Sequence, residues 1–172
     1  MQVNQGIMAF SKQRQVIGLI GWLAVCFIAA GIGGVASMRA GSFYLSLDRP
    51  EWAPPATVFG PVWTTLYTLM AIAAWLVWRE GGFERARTAL GLFLAQLAIN
   101  AVWSWMFFAW RLGGVAFADI IVLWVLLVAT LISFWRIRPL AGVLLLPYLM
   151  WVSFAGVLNY SVWKMNPQAL GG

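Results

Sequence analysis

The sequence predicts an all-α membrane protein, a bundle of five transmembrane helices, and three observations support this. Of the 172 residues, 63% are hydrophobic and only 9% are charged, and a soluble core of this length cannot bury so much apolar surface. Five apolar stretches are each long enough to cross about 30 Å of hydrocarbon as a helix. The segments between them hold most of the charges and helix-breaking residues, as loops at a membrane surface do.

The five spans divide the chain into one domain with two short tails. The spans are predicted at residues 16–38, 58–78, 88–110, 115–135 and 140–163, between an N-terminal tail (1–15) and a C-terminal tail (165–172). The first span is too long for the apolar core of a signal peptide, so we interpret it as a retained helix. Only the connection at residues 39–57 exceeds ten residues, which makes it a candidate lid.

The charge pattern indicates a membrane orientation and argues against a nucleic-acid partner. The chain has 11 Lys and Arg against 5 Asp and Glu, and they lie in short clusters that suit anionic lipid headgroups. The N-terminal side of the predicted bundle carries seven of the 11 basic residues. The positive-inside tendency therefore predicts a cytoplasmic N-terminus and an outward-facing lid. Helical spans of this kind favour a bacterial cell membrane over an outer membrane.

Two features of the composition exclude several kinds of chemistry. The chain has no histidine, which excludes His-based catalytic triads, zinc sites that need imidazole, and haem held by an axial histidine. No metal site is predicted. The single cysteine, Cys26, lies inside an apolar run and cannot form an internal disulfide.

Seven of the 12 tryptophans fall into two groups by their predicted depth. Trp78, Trp110, Trp135 and Trp163 lie at span ends, where indoles commonly anchor a helix at the headgroups. Three others lie deeper and share helical faces with aromatic or polar residues. Those faces hold Phe59, Trp63, Tyr67 and Met70; Gln96, Asn100, Trp103, Ser104 and Phe107; and Tyr148, Trp151, Ala155 and Asn159.

The order of the spans predicts that these three faces converge. The second span begins on the lid side, and the third and fifth end there. Trp63, residues 100–107 and residues 151–159 therefore lie between mid-membrane and the lid. A pocket lined by indoles, phenols and a few amides would suit a flat, conjugated, largely apolar ligand. The alternative is that these residues only pack helix against helix, with Asn100 and Gln96 as interhelical hydrogen-bonding groups.

Three smaller features also allow more than one interpretation. Asp119 is the only acid inside a predicted span and is either functional or a first-turn residue at headgroup level. Gly91 and Ala95 form a small-xxx-small pair, which predicts a homodimer through the third span. A loose sterol-contact pattern, which often occurs by chance at membrane helix ends, is formed by Leu158, Tyr160 and Lys164.

Four segments resemble one known family, the tryptophan-rich sensory protein family, also called translocator protein or peripheral-type benzodiazepine receptor (TspO/MBR). The stretch from Trp52 to Tyr67, WAPPATVFGPVWTTLY, resembles the signature of its first loop and second helix. Residues 95–104 (AQLAINAVWS), 147–151 (PYLMW) and 158–166 (LNYSVWKMN) are similar to its third helix, its fifth helix and its C-terminal end.

The resemblance implies a homodimer of five-helix bundles that binds tetrapyrroles such as protoporphyrin IX and haem, sterols, and benzodiazepine-site ligands such as isoquinoline carboxamides. No cofactor is implied beyond this ligand. A light- and oxygen-dependent breakdown of porphyrin is implied for Trp63 and Trp151. The pocket residues implied by the matching motifs are Tyr44, Pro54, Trp63, Tyr67, Asn100, Trp103, Ser104, Trp151 and Ala155.

The leading functional hypothesis is therefore a membrane receptor or sensor for tetrapyrroles, with at most a photochemical enzyme activity. One alternative is a transporter of porphyrins, sterols or other apolar ligands, although the chain lacks the internal repeat and paired broken helices of many transporters. The second alternative is a structural membrane subunit whose aromatic residues only pack.

Overall fold

The computed structural model describes residues 10–38 and 40–171, and this part of the chain forms an all-α bundle. Five of its helices are long and apolar enough to span a membrane, which confirms the predicted fold class. The helices are α1 Lys12–Ala36, α2 Ala40–Ser46, α3 Phe59–Trp78, α4 Gly82–Ser104, α5 Gly113–Ile137 and α6 Pro139–Met165. A 3-10 turn, Ala56–Val58, leads into α3, and a π-helical turn, Trp105–Ala109, continues α4.

Two helices begin earlier than their apolar runs. Helix α1 begins at Lys12, where the Ser11 side chain accepts a hydrogen bond from the Arg14 backbone (3.3 Å). Helix α4 begins at Gly82, after a turn in which Gly81 and Gly82 adopt φ of 143° and 67°. Charged residues mark where the hydrocarbon ends, but they do not end a helix, so the predicted starts at residues 16 and 88 were too late. The first nine residues of the predicted N-terminal tail lie outside the described part.

The long helices pack around an apolar core, with α5 between α4 and α6, and α3 against α1 and α6. Phe93 on α4 is fully buried and its ring stacks on Phe134 of α5, with centroids 5.7 Å apart. At the end of the bundle away from the lid, the indole of Trp75 donates a hydrogen bond to the Gln15 carbonyl (2.8 Å). This contact joins α3 to the start of α1.

The candidate lid, predicted at residues 39–57, contains a short helix. It holds α2, and two of its apolar side chains, Tyr44 and Leu47, are buried. The Tyr44 hydroxyl donates a hydrogen bond to the Pro54 carbonyl (3.1 Å), which closes the lid on itself. Tyr44 and Leu47 lie three residues apart, about one helical turn, so both side chains face the bundle.

The segment predicted as a C-terminal tail also packs against the bundle. Leu170 is fully buried, and its carbonyl accepts a hydrogen bond from the Gly113 backbone (2.8 Å). The indole of Trp163 donates to the Gly171 carbonyl (3.3 Å). Residues 166–171 therefore fold back over the start of α5, at the same end of the bundle as the lid.

Candidate ligand-binding site

A cavity of about 640 Å³ lies between the helices under the lid. Its walls come from α1, α3, α4 with its π-helical turn, and α6, and Tyr44 of the lid also contributes. Besides pocket residues that the family resemblance implies, the lining includes Phe59, Phe107 and Asn159 from the predicted aromatic and polar faces. It also includes Phe27, Ala30, Gly31, Gly33, Gly34, Ser37, Gly60, Thr64, Phe108, Leu158 and Val162.

The structure brings eight of the nine predicted pocket residues together at this cavity. These eight are Tyr44, Trp63, Tyr67, Asn100, Trp103, Ser104, Trp151 and Ala155. Among the described residues of the predicted set, Pro54 is the exception, because it does not line the cavity. Its carbonyl instead accepts the hydrogen bond from Tyr44, so it positions a lining residue.

Aromatic rings form two walls of the cavity, one with edge-to-face pairs and one with a stacked pair. The indoles of Trp63 and Trp151 meet edge to face, with centroids 6.5 Å apart and planes at 89°. Phe59 packs against Trp151 in a similar arrangement (5.9 Å, 72°). On the α4 side, Trp103 stacks on Phe107 with centroids 5.4 Å apart. These rings hold one another in place, so the walls present fixed faces and edges.

The few polar groups at the cavity are oriented by hydrogen bonds between helices. The Asn100 amide donates to the Tyr67 hydroxyl (3.0 Å), and the Trp103 indole donates to the Asn159 side-chain oxygen (3.1 Å). Asn159 in turn donates to the Gly113 carbonyl (3.1 Å). Gln96 is fully buried, is not among the lining residues and accepts from Tyr148 (3.0 Å). Asn100 therefore both lines the cavity and joins two helices, whereas Gln96 only joins them.

A cationic side chain lies beside the cavity at the lid. The Arg49 guanidinium carbon is 4.8 Å from the ring centroid of Tyr44, a distance at which a cation and an aromatic ring attract each other. Burial raises the pKa of the Tyr44 phenol above its ordinary 10.0, while Arg49 acts in the opposite direction. The phenol stays protonated at neutral pH and remains a donor to Pro54.

Comparison with known sequences identifies the family to which the chain belongs. The sequence model of the TspO/MBR family matches residues 22–164, most of the chain. The chain belongs to the TspO/MBR family. This confirms the resemblance seen in the four segments, and family membership supports a membrane sensor or translocator role for this integral, multi-pass membrane protein.

Relatives of this TspO/MBR chain include proteins from animals and bacteria. The translocator protein of Homo sapiens is 41% identical over 149 residues, which covers 86% of each chain. Protein CrtK of Rhodobacter capsulatus is 38% identical over 151 residues (84% of this chain, 92% of the relative). The tryptophan-rich sensory protein of Cereibacter sphaeroides is 37% identical over 145 residues (84% and 89%).

Two parts of the cavity wall in this TspO/MBR chain were not predicted from the sequence. The first is α1, where Phe27 and Ser37 line the cavity and a Cβ on Gly33 would lie 3.2 Å from the Ser104 hydroxyl. The glycines of α1 were the signal, because they permit a close approach of α4. The second is Phe108 of the π-helical turn, which lines the cavity beside the predicted Phe107. The sequence carries no recognisable pattern for this turn.

The other predicted residues of this TspO/MBR chain lie away from the cavity, except for Leu158. Gly91 and Ala95 lie on the exposed face of α4. Of the sterol pattern, Leu158 lines the cavity, whereas Tyr160 and Lys164 are exposed on α6, with the Lys164 nitrogen 5.8 Å from the Tyr160 ring centroid. Leu158 thus faces away from the other two. Asp119 is half-buried on α5, and among the described residues its Oδ2 atom has no hydrogen-bond partner.

Proposed function

We propose that this TspO/MBR chain is a membrane receptor or sensor that binds a flat tetrapyrrole, such as protoporphyrin IX or haem, in the cavity under the lid. The cavity carries the proposal, because its volume of about 640 Å³ lies within the range of known small-molecule sites. Its indole and phenol rings offer stacking faces to a conjugated macrocycle. Aromatic residues that served only to pack the helices would not leave a space of this size among them.

Polar groups support a ligand with a charged edge. The propionates of a tetrapyrrole would lie toward the lid, where Arg49 contacts Tyr44 and can form hydrogen bonds with a carboxylate. Haem would bind without an axial imidazole, since the chain has no histidine. An isoquinoline carboxamide would use the same ring walls and would direct its amide to Asn100 or Ser104.

Titration of the protein in nanodiscs with protoporphyrin IX in the dark tests this function through quenching of tryptophan fluorescence. We expect saturable quenching near one porphyrin per chain, with weaker binding in the Trp63→Phe and Trp151→Phe double variant. The matched control is the Trp110→Phe and Trp135→Phe double variant, which changes two exposed indoles outside the cavity. Quenching that does not saturate in the wild type would refute the proposal.

A flux assay in liposomes separates a sensor from a transporter. A sensor binds protoporphyrin IX without accumulating it inside the vesicles, whereas a transporter moves it across the bilayer. We expect binding without accumulation. Accumulation above that of protein-free vesicles would favour transport.

A photochemical activity is a second candidate function, favoured by the two indoles 6.5 Å apart at the cavity. An excited porphyrin transfers its energy to dioxygen, and the singlet dioxygen adds both atoms across the C2–C3 bond of an indole or a double bond of the macrocycle. This addition balances without any further oxidant or reductant. We expect slower porphyrin decay under light in Trp63→Phe and in Trp151→Phe, and wild-type decay in both would remove these residues from the mechanism.

We further propose a homodimer through the exposed face of α4. A Cβ on Gly91 would meet no described atom within 4 Å, and Ala95 and Ala98 lie on the same exposed face, so a second helix can approach closely there. Crosslinking in bilayers tests this proposal. Replacement of Gly91 and Ala95 by Leu should lower the dimer fraction, and an unchanged fraction would count against this interface.

A further inference from the structure

The cavity reaches the protein surface between α1 and α3 as well as lying under the lid. Gly31 and Gly34 on α1, and Gly60 and Thr64 on α3, all line the cavity and are also exposed at the surface. Three of them are glycines, which place no side chain across the space between the two helices. The four residues come from two helices, so the opening lies between them.

The space around the glycines shows that the two helices are apart at this level. A Cβ built on Gly31, Gly34 or Gly60 would meet no described atom within 4 Å. Near the opposite end of the same pair, a Cβ on Gly18 would clash with the Trp78 indole. Helices α1 and α3 are therefore in close contact at the end away from the lid and separate toward the lid.

The lid-side half of α1 lies against α4 instead of α3. A Cβ on Gly33 would lie 3.2 Å from the Ser104 hydroxyl of α4. The indole of Trp105, in the π-helical turn, donates a hydrogen bond to the Ile32 carbonyl (3.1 Å). These contacts hold α1 in a position that leaves the gap to α3 open.

The opening faces hydrocarbon. Residues 27–36 of α1 and 59–67 of α3 contain no charged side chain. Phe27, beside the gap, is 42% exposed. Counting from the lid-side end of α1, Phe27 lies about 14 Å along the helix axis at 1.5 Å per residue. The gap therefore spans about the depth of one lipid leaflet.

We propose that this gap, framed by Gly31, Gly34, Gly60 and Thr64, is a lateral portal through which ligands dissolved in the lipid reach the cavity. The portal selects molecules that partition into the bilayer with a flat apolar body, because water-soluble molecules do not concentrate at its mouth. A ligand that uses it passes without breaking the hydrogen bond of Tyr44 to Pro54 in the lid. The inference rests on the proposed function, since it assumes that the cavity holds a ligand.

Binding kinetics test the portal. Protoporphyrin IX supplied in vesicles is mixed with nanodisc-held protein, and the rates are read from tryptophan quenching for wild type, Gly31→Phe and Gly21→Phe. Both glycines are exposed on α1 with open space at the Cβ, but only Gly31 lines the cavity. An obstructed portal lowers the association rate by roughly tenfold in Gly31→Phe, whereas Gly21→Phe, which lies outside the cavity, keeps the wild-type rate. Equal rates in the two variants, or a loss of affinity with an unchanged association rate, would overturn the portal.

A second measurement needs no ligand and so separates failure of the portal from failure of the proposed function. A nitroxide is attached at Thr64→Cys in a Cys26→Ala background, with Val122→Cys on the exposed face of α5, away from the proposed dimer interface, as the reference for a lipid-facing site. The portal predicts that both nitroxides relax more with oxygen, which concentrates in hydrocarbon, than with a water-soluble nickel chelate. Greater access of the chelate at position 64 would show an aqueous opening and contradict the portal, even if the titration shows saturable binding.

Discussion

Asn166 and Asp48 join the end of α6 to the lid through two hydrogen bonds that run in opposite directions. The Asp48 backbone N–H donates to the Asn166 side-chain oxygen (2.9 Å), and the Asn166 side-chain nitrogen donates to the Asp48 carbonyl (2.8 Å). The two residues are 118 positions apart in the chain. A single amide side chain therefore fixes the position of the lid relative to the helix that carries Trp151.

We predict that Asn166→Ala loosens the lid, because both hydrogen bonds are lost, at a cost of about 1–3 kcal/mol. The measurement is amide hydrogen exchange at Asp48 and its neighbours, which should become faster. Asn166→Asp is the matched control, since it keeps an acceptor for the Asp48 N–H and loses only the donor. Exchange at wild-type rates in the Ala variant would show that other contacts hold the lid.

We predict that Tyr148→Phe destabilises the bundle more than the double change Tyr148→Phe with Gln96→Leu. The single change leaves the fully buried Gln96 oxygen without the hydroxyl that donates to it (3.0 Å). An unpaired buried polar group costs about 1–3 kcal/mol, whereas removing both partners can be nearly neutral. Thermal unfolding in detergent, compared across both single variants and the double variant, measures this coupling. Additive losses would contradict it.

We predict opposite outcomes for alanine at two glycines of α1. Gly18→Ala places a Cβ against the Trp78 indole, closer than van der Waals contact allows, and this overpacking should cost about 1–3 kcal/mol. Gly21→Ala meets no described atom within 4 Å and should stabilise α1 by up to about 1 kcal/mol, because alanine has the higher helix propensity. Unfolding midpoints of the two variants provide the comparison, and equal midpoints would refute the close contact at Gly18.

We predict that the contribution of Tyr44 to lid closure is insensitive to pH from neutral to about pH 10, its ordinary pKa. Burial raises the folded-state pKa of Tyr44 above that value, so the contribution is complete below it and is lost as the pH rises through the folded-state pKa. Arg49→Gln should raise the pKa further, since the guanidinium favours the phenolate. Titration by NMR with labelled tyrosine tests both statements, with Tyr44→Phe to assign the signal. A Tyr44 pKa at or below that of the unfolded chain would contradict the predicted direction.

The sequence predicted the five helices because their apolar runs are long and nearly free of charge. It placed the starts of α1 and α4 too late, since Lys12, Arg14 and Glu84 look like loop residues but continue the helices beyond the hydrocarbon. It also treated residues 39–57 and 165–172 as a loop and a tail. Their structure depends on long-range contacts, such as Leu170 over Gly113, which leave little trace in local sequence.

The cavity wall was predictable where periodicity placed aromatic and polar residues on one helical face. Trp63, Asn100 and Trp151 follow from this rule together with the order of the spans. The contribution of α1 to the wall was not predicted, because glycines line the cavity without a side chain and so add no aromatic or polar residue to the pattern. Phe108 was not predicted either, because it belongs to the π-helical turn at 105–109, which the predicted regular helix does not contain.

The burial of Leu170 sets an order of events during synthesis. The lid and the start of α5 lie at the end of the bundle that residues 166–171 complete, and these residues are translated after all of the membrane spans. Leu170 packs in one cluster with Leu47 of the lid and Phe107 beside the cavity. This end of the protein can therefore close only after the last membrane helix, α6, has been synthesised. Until Leu170 is synthesised and packs, the apolar surface around Leu47 and Phe107 is exposed at the membrane boundary. Membrane chaperones can bind an exposed apolar surface of this kind.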